Sequence, residues 1–300
     1  MADLLDKPLI VVTGKGGVGK TTVAAALGLI AARHGKRAIV AEVSRRSDVA
    51  GVLGATAPDT FTEHEIADGL FHISIDPEDA LAEYLHDQLG STGLASVLTS
   101  SRMFGLLAAA TPGLRELLTI GKVWELAQPQ RRTPGAKPYD LVIVDAPATG
   151  HGVAVLGAPR TFADAAAGGP ITRQASQIDA TLSDPEQTAV VAVARAEEMP
   201  VTETLHLQEA LGERLGMRLD AIVVNRLEPD VFAPAEASRM AEHAEHPAVA
   251  LALHAHARAR RQRAQLGRLH KGSGMAPLRI QARRDGPDLD GVADELAAAL

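Results

Sequence analysis

The stretch PLIVVTGKGGVGKTT, residues 8–22, decides the fold. Its first half is an apolar, β-branched run of strand length. Its second half is glycine-rich and ends in Lys20-Thr21-Thr22. Gly14-x-x-x-x-Gly19-Lys20-Thr21 is the phosphate-binding loop pattern, set between a strand and a helix as its mechanism requires. Glycines let backbone N–H groups turn inward around phosphate, and the helix N-terminus adds partial positive charge. Gly14, Gly16, Gly17, Val18 and Gly19 are therefore read as the cradle. Lys20 would reach the β- and γ-phosphates, the Thr21 hydroxyl would ligate Mg²⁺ directly, and Thr22 is placed for the α-phosphate. The pattern needs one lysine, and Lys15 is a second. It sits at the rim of a loop already served by Lys20, so it reads as pointing outward, toward a second molecule docked face to face.

Working outward, apolar runs of strand length recur at 8–13, 37–43, 70–76, 139–145, 188–194, 219–225 and 276–280. Several are continuously apolar, as central strands of a parallel sheet covered on both faces must be. Helical stretches separate them. In 20–34, Val23, Leu27 and Ile30 recur at helical spacing, with Gly35 as a stop. The alternation predicts an α/β fold: a doubly wound, mostly parallel sheet with helices on both faces and an inserted helical subdomain. The insert is expected at about 77–138, with further helical segments at about 159–184 and 232–271 and a short acidic helix at 287–300. We read 1–300 as a single nucleotide-binding domain.

Composition narrows the classes. The chain has 300 residues, is 46% hydrophobic and carries a net charge of −7, which describes a globular protein and argues against a nucleic-acid coat. It has no cysteine, which excludes disulfides, thiolate metal or metalloid binding and a cysteine nucleophile, and which fits a cytoplasmic location. MADLLDKPLIVV has no basic leader, and no stretch of 18 uncharged apolar residues exists, so no stable membrane insertion is expected.

A carboxylate that holds a Mg²⁺-bound water should end a second strand, and Asp145 ends YDLVIVD. Here a family resemblance enters. GKGGVGKTT resembles the deviant Walker A motif shared by the nitrogenase iron protein, the MinD/ParA ATPases and the arsenite-pump ATPases. DAPATGH, Asp145 to His151, resembles the switch II of the arsenite-pump (ArsA) and tail-anchored-protein targeting branch. The likeness spans nearly the whole chain. It looks like the actinobacterial members, which tend to occur as paired paralogues.

The resemblance implies a dimeric, cytoplasmic ATPase switch using ATP and Mg²⁺. Lys15 would be the signature lysine that crosses the interface to phosphate in the partner's site. The switch II residues Asp145, Pro147, Thr149, Gly150 and His151 would relay loss of the γ-phosphate to the insert, for a protein client or membrane partner. Asn225 would contact adenine beside Arg226, with a loop from Pro277 and Leu278 to Ala282 over the other face of the base. The partner is either an identical chain or a paralogue.

The sequence departs from that pattern in places. An ungapped alignment puts Ser44 where the family carries a water-activating Asp, and serine is a poor base near neutral pH. Glu42 and Asp48 are the candidate substitutes. Slow hydrolysis, or a subunit that binds ATP while a paralogue supplies catalysis, is therefore an expectation alongside ordinary turnover. Arg45 and Arg46 add cations nearby, as phosphate sensors or as solvated charges. Met103 is the one methionine in the insert, so apolar residues there such as Leu117, Leu118 and Trp124 read first as core and second as a client surface. Asn225-Arg226-Leu227-Glu228 echoes a guanine-binding motif, although the rest of the likeness favours ATP. The basic run from Arg258 to Lys271 lacks interleaved aromatics, so nucleic acid is not expected, and a DNA-positioning ATPase is the third reading.

Overall fold

The run Leu9–Gly14 forms strand β1, and its side chains alternate between two cores as a strand's period of two requires. Leu9 and Val11 enter one apolar cluster; Ile10 and Val12 enter the other. All four are 0–2% exposed because helices cover both faces. The computed structural model describes residues 4–43, 47–56, 59–89, 101–133, 135–165, 168–283 and 288–300.

The other strands are β2 (Ala38–Glu42), β3 (His64–Ala67), β4 (Leu70–Ser74), β5 (Leu141–Ala148), β6 (Thr188–Arg195), β7 (Ala221–Leu227) and β8 (Leu278–Gln281). They form one sheet in the order β3-β4-β2-β5-β1-β6-β7-β8. Every neighbouring pair is parallel except β3–β4. The expected doubly wound α/β architecture is what the chain adopts. Strand β3 was not anticipated. It is a four-residue antiparallel edge whose residues are half-buried or exposed, so it lacks the apolar run that marks the central strands.

The helices are α1 (Lys20–Arg33), α2 (Asp48–Val52), α3 (Pro77–Leu89), α4 (Ser101–Ala110), α5 (Leu114–Leu126), α6 (Thr149–Ala165), α7 (Pro170–Ser183), α8 (Glu198–Ala210), α9 (Pro234–Ala241), α10 (Pro247–Ser273) and α11 (Leu289–Ala299). On one face Val23, Leu27 and Ile30 of α1 pack with Val292 and Leu296 of α11. On the other, Ile120 and Val123 of α5 pack with Leu156 of α6, Ile178 of α7 and Leu207 of α8. Helix α1 stops at Gly35, whose φ of +79° suits glycine. Between 77 and 138 the described residues contain helices and no strand. The 232–271 stretch divides into α9 and α10. No helix among the described residues is long and apolar enough to cross a membrane.

Parallel strands put their C-terminal ends on one edge, and three of them bring the site together there. Asp145 of β5 lies across from Val12 of β1 on one side and Glu42 of β2 on the other.

Candidate functional site

The loop from β1 to α1 is shaped by positive backbone angles that side chains resist. Gly14, Gly17 and Gly19 have φ of +148°, +81° and +100°. A Cβ on Gly14 would lie 2.1 Å from the Val193 carbonyl oxygen of β6, so the loop is pressed against the neighbouring strand. Gly16 and Gly17 stay exposed while Val18 is buried and anchors the loop from beneath.

Lys20 opens α1 and its Nζ donates to the Lys15 carbonyl oxygen at 3.4 Å. Burial lowers the pKa of the Lys20 ammonium, and the nearby Asp145 carboxylate opposes that shift. Thr21 Oγ1 donates to Asp145 Oδ2 at 2.6 Å. Burial raises the Asp145 carboxyl to about 6 against the Thr21 hydrogen bond, and the charges of Glu42 and Asp48 raise it further while Lys20 opposes. The other oxygen, Asp145 Oδ1, is buried and accepts no hydrogen bond among the described residues.

These residues fit a hard divalent cation. A hydroxyl and a carboxylate, both oxygen donors, stand together, one carboxylate oxygen is unspent, and the Glu42 and Asp48 charges add to the upward shift that burial gives the Asp145 carboxyl. Among the described residues no group of three or more His, Asp or Glu side chains is placed to hold a metal, so the remaining ligands would be phosphate oxygens and water.

Lys15 does not project freely. Its Nζ pairs in the same chain with Glu203 Oε1 of α8, with each side chain about one-third exposed. Nothing in the sequence signalled this partner, 188 residues away. Asn225 ends in a similar long-range contact. Its Nδ2 donates to the Val18 carbonyl oxygen at 3.0 Å, and its Oδ1 accepts from the Arg226 N–H at 2.8 Å. Asn225 therefore ties β7 to the phosphate loop. Arg226 follows with φ of +57° and its side chain exposed. Thr22 is half-buried one residue beyond the loop.

Pro147 is the penultimate residue of β5, and Thr149, Gly150 and His151 form the first turn of α6. Gly152, unremarked in the sequence, lets α6 approach β1, since a Cβ there would meet Thr13 Oγ1 at 2.6 Å. Ser44, Arg45 and Arg46 lie outside the described residues. Glu42 and Asp48 do reach the site, with contrasting surroundings: Glu42 is 3% exposed and Asp48 is exposed. Pro277 is half-buried and leads directly into β8. Leu278 belongs to β8, the last strand of the sheet, pairs with Val223 and is buried in the core. The strand ends at Gln281, and Ala282 N–H returns to the Leu227 carbonyl oxygen at 2.8 Å.

Comparison with known proteins agrees with this geometry. The family model described as anion-transporting ATPase matches residues 7–167 and 170–246. The chain belongs to the anion-transporting ATPase (ArsA) family. ATPase BagA of Mycobacterium tuberculosis is 35% identical over 243 residues, covering 78% of this chain and 69% of that protein. An arsenical pump-driving ATPase of Acidiphilium multivorum is 26% identical, covering 77% and 41%. The ATPase ASNA1 homolog of Entamoeba histolytica is 28% identical, covering 73% and 76%.

This ArsA-family chain carries three further features away from the phosphate loop. Glu228, the acid of the guanine-like motif, accepts from Arg258 Nη1 at 2.9 Å, and its backbone N–H donates to Gln262. Across the sheet, α3, α5 and α7 frame an apolar groove of about 170 Å³ lined by Leu81, Leu85, Leu117, Leu118, Ile171 and Ile178 among others. Beside it, Lys122, Glu125 and Arg131 are buried and joined to Glu83 and Glu63 by ion pairs of 2.6–3.0 Å.

Proposed function

We propose that the chain is a Mg²⁺-dependent ATPase that works as a dimer, with an identical chain or a paralogue, and transmits its nucleotide state to helices α3–α5. The observation that carries this reading is the Thr21–Asp145 pair at 2.6 Å, set at the mouth of a glycine loop whose Lys20 has Asp145 as counter-charge. Loop N–H groups and the start of α1 hold the phosphates, and Lys20 takes the β/γ oxygens. Bound Mg²⁺ would offset charge on those oxygens. Asp145 leads within four residues into α6, so a change in what Asp145 holds has a short covalent route to a helix that packs on α5.

Adenine is the favoured base because Glu228 is already engaged by Arg258 and is not free to read guanine. Lys15, released from Glu203, is the residue proposed to act across the dimer. The groove beside α5 is the proposed place for an apolar segment of a protein client. A second reading, a hydrolysis-impaired partner of a catalytic paralogue, is favoured by the engagement of the Glu42 carboxylate described below.

Phosphate release by the purified chain with Mg²⁺–ATP tests the proposal. It predicts turnover that Lys20→Ala lowers by about 100-fold or more, as expected for loss of a charged contact made to the transferring group. ATP binding without release, restored by adding a paralogue, selects the second reading. Absence of ATP binding contradicts both.

A further inference from the structure

Glu42 is the last residue of β2 and is buried, and a buried carboxylate must find partners. It has three. Oε1 accepts from the Asp48 backbone N–H and Oε2 from the Val49 backbone N–H, each at 3.2 Å. His72 Nε2, on the adjacent strand β4, lies 3.2 Å from Oε2. His72 is wholly buried and its Nδ1 has no partner among the described residues. A proton on Nδ1 would be an unsatisfied buried donor, so the imidazole proton belongs on Nε2, donated to Glu42.

The two backbone donors are the first residues of α2, whose N–H groups no intrahelical carbonyl can accept. Ser47 stands where a capping side chain would, yet makes no capping hydrogen bond. Glu42 performs that capping from six residues upstream. Val49 and Ala50 are fully buried, so α2 is seated against the sheet and does not hang from the carboxylate alone. The position matters because Glu42 and Asp145 are directly opposed across β2 and β5. The start of α2 is thus held one carboxylate away from the residue that meets Thr21. The Asp48 side chain, next to the clamped N–H, is exposed and accepts no hydrogen bond among the described residues. Glu42 has the opposite character: both oxygens are spent and solvent is excluded, which suits a clamp and not a proton acceptor for substrate water.

We infer that Glu42 is a positioning residue for the reaction proposed above: held by His72, it fixes the start of α2 beside Asp145 and so sets where the Asp48 carboxylate stands in the site. The catalytic step rests on the ATPase reading; the clamp does not. Glu42→Gln keeps size but replaces one accepting oxygen with a donor; its carbonyl oxygen keeps the place of Oε2, which serves both Val49 N–H and His72 Nε2, so the bond lost is the one from the Asp48 N–H.

The experiment combines amide hydrogen exchange at Asp48 and Val49 with single-turnover phosphate release and ATP affinity. Glu42→Gln should speed exchange at the Asp48 amide about tenfold or more, the scale of a lost hydrogen bond to a charged group. It should slow phosphate release about tenfold while leaving ATP affinity within about twofold, a loss confined to the reacting state. Asp48→Asn should slow release with Val49 exchange unchanged. Slowed release in Glu42→Gln with unchanged exchange would overturn the inference in favour of a direct chemical role. Faster exchange with unchanged release would overturn it in favour of a purely structural one. If the wild-type chain binds ATP but releases no phosphate, the ATPase reading fails, and exchange at these amides still decides the clamp. Should Glu42→Gln not fold, His72→Phe removes one donor from the same carboxylate and is read by the same exchange.

Discussion

Gly19 shows how closely the phosphate loop is fitted. Its φ is +100°, and a Cβ would stand 2.2 Å from Asn225 Nδ2, the atom that holds the Val18 carbonyl. Gly19→Ala should destabilise the chain by roughly 1–3 kcal/mol, the cost of a strained backbone position with a displaced neighbour. Chemical denaturation measures this, and a variant as stable as wild type would show that the loop is looser than described. Asp145 makes a pH prediction. Its carboxyl is raised, chiefly by burial, to about 6. The folded state therefore favours the protonated form, so its contribution to stability is full below the ordinary carboxylate value and is lost as pH rises through about 6. A cation competes with that proton. The thermal stabilisation produced by Mg²⁺ with nucleotide should be clearly larger at pH 7.5 than at pH 5.5, where roughly a quarter of Asp145 is ionised. Equal shifts at both pH values would remove Asp145 from the cation site.

Elements divide according to how local their causes are. The strands β1, β2, β5, β6 and β7 and the start of α1 were legible, because continuous apolar runs and a glycine loop are signals carried within a few residues. Strand β3 was not, since it exists through pairing with β4 and not through its own pattern. Nor was the ion-pair network beneath α5, whose members Glu63, Glu125 and Arg131 meet only when the edge of the sheet and the insert fold together. Burial alone would raise the Glu63 and Glu125 carboxyls, but hydrogen bonds led by Arg131, aided by Tyr139 on Glu63 and by the charge of Lys122 on both, hold them below their usual values. Such depressed carboxyls stabilise the fold above the ordinary carboxylate value, and that stability is lost as pH falls through the folded value. Acid should therefore loosen α5 below about pH 4.5. Trp124, which donates to Thr181 Oγ1 at 3.0 Å across to α7, reports it by fluorescence. Arg131→Met should cost about 3–5 kcal/mol by taking the guanidinium from the buried Glu125 and the half-buried Glu63. A loss under 1 kcal/mol would mean the network is solvated.

For the whole molecule, the sheet order places every candidate phosphate ligand on one edge, and this much followed from reading residues 8–22 and 139–145 together. The long-range ties did not follow. Lys15 to Glu203 and Val18 to Asn225 span 188 and 207 residues, and nothing in either local sequence names the partner. The Lys15–Glu203 pair has a consequence for assembly. With both side chains about one-third exposed, it is an inexpensive contact to exchange, on the order of 0–1 kcal/mol. Lys15→Ala should leave ATP binding by the single chain nearly unchanged and abolish ATP-dependent dimerisation in sedimentation velocity. A variant that dimerises normally would confine Lys15 to its own chain. The central claim is that the β1–α1 loop with Thr21 and Asp145 is a Mg²⁺–ATP site, and calorimetric titration of ATP tests it most directly. The account predicts saturable binding that strengthens with Mg²⁺, weakens about 100-fold in Lys20→Ala and loses its Mg²⁺ dependence in Asp145→Asn. Wild-type binding that Lys20→Ala leaves intact would contradict it.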